Sequence, residues 1–432
     1  MPTTPTYYNT PTLRFPEFKN EGDWVEDTVE NLFTFIPNNT LSRAELNYEN
    51  GDYLNVHYGD VLIKFGECLD VKKDKLPHIS ENNLALKFSG SILKNGDIVI
   101  ADTAEDETVG KCTEIVNITN EFVVPGLHTI AIHPQRQFAS RYLGFYMNSN
   151  SYRSQLFKLM QGVKVSSISK SALKTTTIRF PSSIDEQNKI AELLSSFDEL
   201  LSATSSKLDQ LKAYKKGLMQ KLFPAKGKKL PELRFKEFEK DGEWKEKKLE
   251  ELIEEVKETI TDTTTIPLYS LTIEDGITSK TERYERGFLV TKKDNAFKVV
   301  SPNDFVSNPM NLRFGAVGFN HNSFMVCVSG YYDVFRFKET GVTVFWSHYL
   351  KSDLLLHKYD EIAIGSLIEK RRVYFSNLLN LKLLVPSIPE QRKIANCLTT
   401  IDEMISQYTN KVALLEQHKK GLMQQMFPQK NR

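Results

Sequence analysis

In two stretches of this chain, apolar residues recur in alternating steps of four and three. The first stretch has Ile190, Leu194, Phe197, Leu201, Leu208, Leu211, Leu218 and Leu222. The second has Ile394, Leu398, Ile401, Ile405, Tyr408, Val412, Leu415, Leu422 and Met426. That spacing is a heptad seam over about five heptads, and it predicts two long helices with one apolar stripe each. Ser183 with Glu186, and Ser387 with Glu390, fit the S-x-x-E capping box that opens a helix. Pro389 falls in a first turn, where a missing N–H costs nothing, and Pro224 and Pro428 close the two runs. A helix from Ile184 to Leu222 is roughly 58 Å long at about 1.5 Å per residue. A stripe of that length must be buried, and the other copy is the matching surface. The pattern therefore predicts an intramolecular antiparallel coiled coil. Gly217 and Gly421 interrupt the helices at equivalent places, at about 1 kcal/mol each; close approach by another backbone would explain them, and so would shared ancestry of the two copies.

The two stretches are copies of one another. KKGLMQKLFP (Lys215–Pro224) returns as KKGLMQQMFP (Lys419–Pro428), 204 positions further on, and the match runs back without a gap to Ser183 and Ser387. A second repeat lies at the other end of each half. PTLRFPEFKNEGDWVEDTVENL starts at Pro11, and PELRFKEFEKDGEWKEKKLEEL starts at Pro231, 220 positions later. The first half is thus 16 residues longer between its repeated ends. The middles differ. They carry short β-branched and aromatic runs, such as Gly59–Gly66, Asn95–Asp102, Phe324–Phe337 and Leu381–Pro386, mixed with helical stretches at Ser140–Met160 and Ser347–Tyr359. This reads as two α+β domains. GDIV at Gly96 and NDFV at Asn303, each followed by Val-Gly (Val109–Gly110, Val317–Gly318), mark them as diverged copies. The resulting division is a tail at 1–10, a first domain at 11–181, a first helix at 182–224, a second domain at 225–386, a second helix at 387–428 and a tail at 429–432.

Composition narrows the chemistry. The chain has 432 residues, 40% hydrophobic and 26% charged, with a net charge of +1, so any nucleic-acid partner has to be held by local basic surfaces. No apolar run approaches the roughly 18 residues of a membrane helix, and the first residues lack a signal-peptide pattern. The four cysteines are far apart, which points away from a disulfide framework or zinc cluster and toward a reducing cytoplasm. No phosphate-binding G-x-x-x-x-G-K-[ST] loop and no glycine-rich cofactor fingerprint occur. NPMN (Asn308–Asn311) lacks the second proline and the ring of an adenine-methyltransferase tetrad and reads as a turn. Three E-x-K triplets (Glu17–Lys19, Glu246–Lys248, Glu255–Lys257) have no paired acid, and His128 with His133 lacks a metal-ligand spacing. No catalytic residue and no metal ligand is expected.

The P-x-L-R-F…G-x-W opening, the divergent domain, the E-Q-x-K-I-A helix start and the K-K-G-L-M-Q-x-x-F-P ending, all written twice in the same order, resemble the specificity subunit of type I restriction–modification enzymes. The resemblance covers nearly the whole chain. It implies two target recognition domains, each reading one half of an asymmetric bipartite DNA site. It implies that the helices set the gap between half-sites and dock two methyltransferase subunits, with restriction/translocase subunits joining through the complex. It implies no catalysis by this chain itself, which would be required for adenine-N6 methylation and ATP-dependent cleavage. S-adenosylmethionine, ATP and Mg would be bound by the partner subunits. A specificity subunit of a related enzyme that cuts on both sides of its site is the alternative within the same chemistry; a coiled-coil scaffold for proteins is the alternative outside it.

Double-stranded DNA is the expected ligand of the domains. Candidate phosphate- and base-contacting residues are Lys64, Lys72, Lys73, Lys75, Lys111, Arg141, and Lys164, Ser166 and Ser167 of the loop Gly162–Ser171 in the first domain. In the second they are Lys280, Arg283, Arg286, Lys292, Lys293, Arg313, and Lys370, Arg371 and Arg372 of the run EKRR. The two loops occupy equivalent places, just before the final strand and helix of each half.

Overall fold

A computed structural model describes residues 10–162, 166–274, 276–279, 296–367 and 370–428. The chain forms two compact units. Met1–Ser205 with Asn410–Arg432 makes the first, and Ser206–Thr409 makes the second. The heptad stretches are helices of 39 residues each, Ile184–Leu222 and Ile388–Met426. Neither is a body of its own. The first unit takes the start of the first helix and the end of the second, and the second unit takes the converse.

The first unit is built on a five-stranded sheet in the order Phe33–Ile36, Thr129–Pro134, Ile98–Ala101, Cys112–Val116, Cys68–Asp70, antiparallel except for its last pair. Its central strands are buried on both faces because side chains alternate. Ile98, Ile100, Cys112, Ile130 and Ile132 enter one core with the helix Tyr142–Asn148; Val99, Ala101, Ile115 and Ala131 enter another. A separate four-stranded sheet of the same unit has the order Phe122–Pro125, Tyr53–Val56, His78–Ile79, Leu46–Asn47.

The second unit repeats the scheme with four antiparallel strands, Ile253–Glu255, Asp333–Phe337, Phe305–Ser307 and Val317–Phe319. Phe305, Val317, Phe319, Phe335 and Phe337 face one core, while Val306 and Val334 face the other. The GDIV/NDFV likeness is a real structural equivalence. Gly96 and Asn303 both have positive φ (89° and 69°), and each precedes an aspartate with no exposed surface. Asp97 meets His133 Nδ1 at 2.5 Å, and Asp304 accepts two bonds from Arg336 at 2.6 and 2.9 Å, so each buried acid is matched by a base of the neighbouring strand. The Val-Gly likeness fails. Ladder register aligns Cys112 with Val317, which makes Gly315 (φ 90°) the partner of Gly110 (φ 78°), and leaves Gly318 inside a strand. Both true counterparts are turn glycines that need the left-handed region.

Within each unit the two helix segments run antiparallel. In the first, Ile190, Ala191 and Leu194 share a core with Met426 and Phe427, and Asp198 lies against Lys419. In the second, Leu218 and Leu222 share a core with Ile394, Leu398 and Ile401, and Lys215 lies against Asp402. The other heptad positions, Phe197, Leu201, Leu208, Leu211, Ile405, Val412, Leu415 and Leu422, are all buried or half-buried. Two expectations need correction. A Cβ built on Gly217 or Gly421 meets nothing within 4 Å, so no neighbouring backbone requires these glycines. The capping boxes are also incomplete: Glu186 N–H donates to Ser183 Oγ at 3.4 Å, but the Glu186 carboxylate is turned elsewhere, as described next.

Candidate nucleic-acid interface and its duplicated frame

The repeated openings are clamps on the helix starts. Arg14 donates from Nε and a terminal nitrogen to both Glu186 carboxylate oxygens at 2.8 Å, and from its other nitrogen to the Gly22 carbonyl at 2.7 Å. Trp24 Nε1–H completes the carboxylate at 3.3 Å. In the second unit Arg234, Glu390, Gly242 and Trp244 repeat the arrangement at 2.8, 2.7 and 3.2 Å. Leu13 N–H donates to the Gln425 carbonyl and Leu233 N–H to the Lys221 carbonyl, both at 2.9 Å. Glu17 pairs with Lys189, and Glu237 with Lys393, which gives the first of the E-x-K triplets a structural role. Each L-R-F…G-x-W segment therefore ties the start of one helix to the end of the other inside its unit.

The helix endings are explained the same way. Lys419 Nζ binds Asp198 at 2.5 Å and Glu67 at 2.8 Å; burial opposes its charge, but these two acids outweigh it and raise its pKa. Lys215 binds Asp402 at 2.5 Å, and His348 Nε2 lies 3.4 Å from the same Asp402. Burial, then Lys215, pushes His348 down to about 4. The phenylalanine of each F-P ending fills an aromatic socket. Phe427 packs on Trp24, Tyr142 and Tyr146 with centroids 5.4–6.5 Å away, and Phe223 packs on Phe345 and Tyr349 at 6.0 and 5.1 Å.

On this frame the loops differ. In the first unit, Gln161 bridges Ser167, and Ser166–Ser167 pairs with Thr103–Ala104, with Ser167 exposed. Lys164 lies outside the described residues, as do Lys280, Arg283, Arg286, Lys292 and Lys293. In the second unit the equivalent bridge joins Ile364 to Arg372 and closes the loop that carries Lys370 and Arg371. After each bridge come a short helix (Lys170–Lys174, Phe375–Leu379) and the final strand (Thr177–Phe180, Lys382–Val385).

The candidate cations fall into two groups. Lys64 and Lys75 both lie over the Tyr48 ring, at 4.9 and 5.4 Å, with Lys64 also donating to the Tyr48 hydroxyl at 2.7 Å. That bond, with Asp60 at 2.9 Å, raises the Lys64 pKa. Arg43 holds both oxygens of the same Asp60 at 2.8 Å. Arg372 is exposed and stands 5.7 Å from the Tyr331 ring, and Lys370 is exposed as well. The other candidates, like Lys64 on Asp60, are paired within the fold. Lys111 donates to the Leu62 carbonyl at 3.0 Å, and its burial lowers its pKa. Arg313 is 8% exposed and binds Asp360 at 2.9 Å, while Arg371 spans the Asp360 and Ala363 carbonyls. Lys72 pairs with Glu121, Lys73 with Asp70 at 3.9 Å, and Arg141 with Asp70 at 3.8 Å. Sequence reading missed Tyr48, Arg43 and Tyr331. Tyr48 stands 16 and 27 positions from Lys64 and Lys75, and Tyr331 stands 41 positions from Arg372, so neither ring carries a signal until folding brings it to its cation. NPMN is a turn, with Met310 N–H donating to Asn308 Oδ1 at 3.0 Å. Among the described residues no cluster of metal-ligating side chains occurs, and no helix is long and apolar enough to cross a membrane.

Comparison with known proteins gives three findings. A family model described as the type I restriction modification DNA specificity domain matches twice, over residues 21–213 and 241–417. A protein of Methanocaldococcus jannaschii, provisionally named the type I restriction enzyme MjaX specificity subunit, is 26% identical over 340 residues, 76% of each chain. Among solved structures, the type I restriction–modification S subunit from M. genitalium superposes with a TM-score of 0.58 at 15% identity, covering 98% of this chain and 100% of its own. A chain from a structure of complex assembly and conformational transition in the type I R-M system gives 0.54 at 14% identity, covering 94% and 97%.

Proposed function

The chain belongs to the family of type I restriction–modification DNA specificity subunits, and from that premise we propose that each of its two units reads one half of an asymmetric, split DNA site. The observation that carries this reading is a frame written twice around loops written differently. The clamp recurs residue for residue, and the helix-to-helix ion pair and the aromatic socket recur at equivalent positions in both units, while the loops at Gln161–Ser167 and Ile364–Arg372 share neither sequence nor charge. Two unlike readers on like frames select two unrelated half-sites.

In the first reader, Lys64, Lys75 and Arg43 around Tyr48 hold phosphate, with Ser166 and Ser167 contributing hydroxyls. In the second, Lys370 holds phosphate and Arg372 reads a base edge beside Tyr331. Lys111, Arg313 and Arg371 position these loops rather than touch DNA. The chain is non-catalytic; S-adenosylmethionine, ATP and Mg belong to its partners. Two methyltransferase subunits dock on the helix pair, and restriction/translocase subunits join the complex in the cytoplasm. Two docking places are supported by the exposed Lys216 and Lys420 and by Gly217 and Gly421, repeated residues with no neighbour in their own unit to explain them.

Domain exchange tests the reading. Replacing Asn31–Arg179 by the same region of another family member should change one half of the methylated site and leave the other half and the gap intact. A change in both halves, or in neither, contradicts independent readers.

A further inference from the structure

Ladder register carries the equivalence of the two units out to their loops. Ile98 pairs with Ile132 in the first unit as Phe305 pairs with Phe335 in the second. Four residues before Ile132 stands His128, and four before Phe335 stands Tyr331. Four residues after Ile98 stands Asp102, and four after Phe305 stands Pro309. The loop hydrogen bonds agree with this count. Ile168 N–H donates to the Asp102 carbonyl at 2.8 Å, and Val373 N–H donates to the Pro309 carbonyl at 2.9 Å. Ser167, which precedes Ile168, therefore corresponds to Arg372, as the two loop bridges also require. His128 and Ser167 hold the places that Tyr331 and Arg372 hold in the second unit, where ring and cation stand 5.7 Å apart.

The chemistry of the two places is exchanged between the units. In the second, the loop residue Arg372 brings the forked donor and the strand residue Tyr331 lies beside it. In the first, the loop offers only the Ser167 hydroxyl, and the strand residue is an imidazole. His128 is exposed, and its ring is held in one orientation. Nδ1 lies 3.4 Å from Asp102 Oδ1, and the ring meets Tyr58 edge-on with centroids 5.3 Å apart. Asp102 is fixed in turn, because its N–H donates to the His128 carbonyl at 3.1 Å and its own carbonyl accepts from Ile168. Nε2 of His128 has no hydrogen-bond partner among the described residues. His128 also has a φ of 54°, a left-handed conformation that costs a residue with a side chain and suits glycine. An imidazole is thus kept, oriented and exposed, where the backbone alone would favour its removal. The nearby Asp102 carboxylate repels a phosphate but not an uncharged base edge.

We propose that His128 reads a base edge of the first half-site through Nε2, with Asp102 positioning its ring. The proposal rests on the reading of the two units as DNA readers and names the residue that selects a base in the first. It also states how the two readers come to differ. The second selects from its loop, through Arg372, and the first selects from the end of a core strand, through His128.

The test uses the full chain in complex with its methyltransferase subunits, on duplexes in which each base pair of the wild-type methylated site is varied in turn. His128→Gly removes the ring at a φ that glycine takes without strain, so the variant should fold. His128→Phe keeps a ring against Tyr58 and removes the hydrogen bond. Each should lower the preference at one base pair of one half-site about fivefold, the worth of one hydrogen bond, and leave the other half-site and the gap unchanged. Arg372→Ala should act in the opposite half-site. Unaltered preferences in both His128 variants overturn the proposal. So does a preference that Phe keeps and Gly loses, which would make the ring a packing group, and so does a loss spread over every pair of the half-site. The wild-type pattern shows separately whether the site is split, and the comparison of variants with wild type decides the role of His128 on either kind of site.

Discussion

The Glu186 and Glu390 side chains are each 1% exposed, and each is held by one arginine and one tryptophan. Removing the arginine strands a carboxylate out of water. Arg14→Ala and Arg234→Ala should therefore each cost about 3–5 kcal/mol in denaturant unfolding, far above a surface pair. A loss under about 1 kcal/mol would show that the clamps are ornamental. The clamp was not legible in the sequence. Arg14 and Glu186 are 172 positions apart, and the local S-x-x-E pattern offered the glutamate a nearer role. His348 gives a second test. It is kept neutral at about 4 by burial and by Lys215, with Lys351 and His321 also opposing its charge and Asp402 favouring it. Because the folded pKa lies below the ordinary 6.5, stability is complete above that value and is lost as pH falls toward 4, on the order of 3 kcal/mol in all. The counterpart in the first unit is Phe145, packed on Lys419 at 5.3 Å. His348→Phe should flatten the fall in denaturation midpoint between pH 7 and pH 4.5; an unchanged fall would place the titration elsewhere.

At the scale of elements, the long helices were the most legible part of the chain. Their heptads, first-turn acids and terminal prolines are local signals that need no tertiary information. The sheets were legible only as short runs, because register depends on partners far along the chain. The misaligned Val-Gly pair shows the consequence: a two-residue match pointed to Gly318, whereas the ladder points to Gly315. The helix glycines make a prediction of their own. With nothing within 4 Å of either Cβ position, Gly217→Ala and Gly421→Ala should each stabilise the isolated chain by about 0.5–1 kcal/mol. If methyltransferase subunits pack there, the same variants should bind them more weakly. Stabilisation with undiminished methyltransferase affinity would move the docking face off these residues.

For the whole molecule, the order of repeats showed the family, while which candidate cations stand exposed and which are paired depended on where the fold put the acids. Arg313 looked as available as Arg372 until Asp360 and Tyr331 were found beside them. The central claim is that two unlike readers on one duplicated frame select an asymmetric split site. Its most direct test is to map methylated bases across the genome of cells expressing this chain with its methyltransferase subunit. The account predicts a single motif of two unrelated half-sites separated by a fixed gap, absent without the chain. A palindromic or continuous motif, or methylation unaltered by the chain's removal, would contradict it.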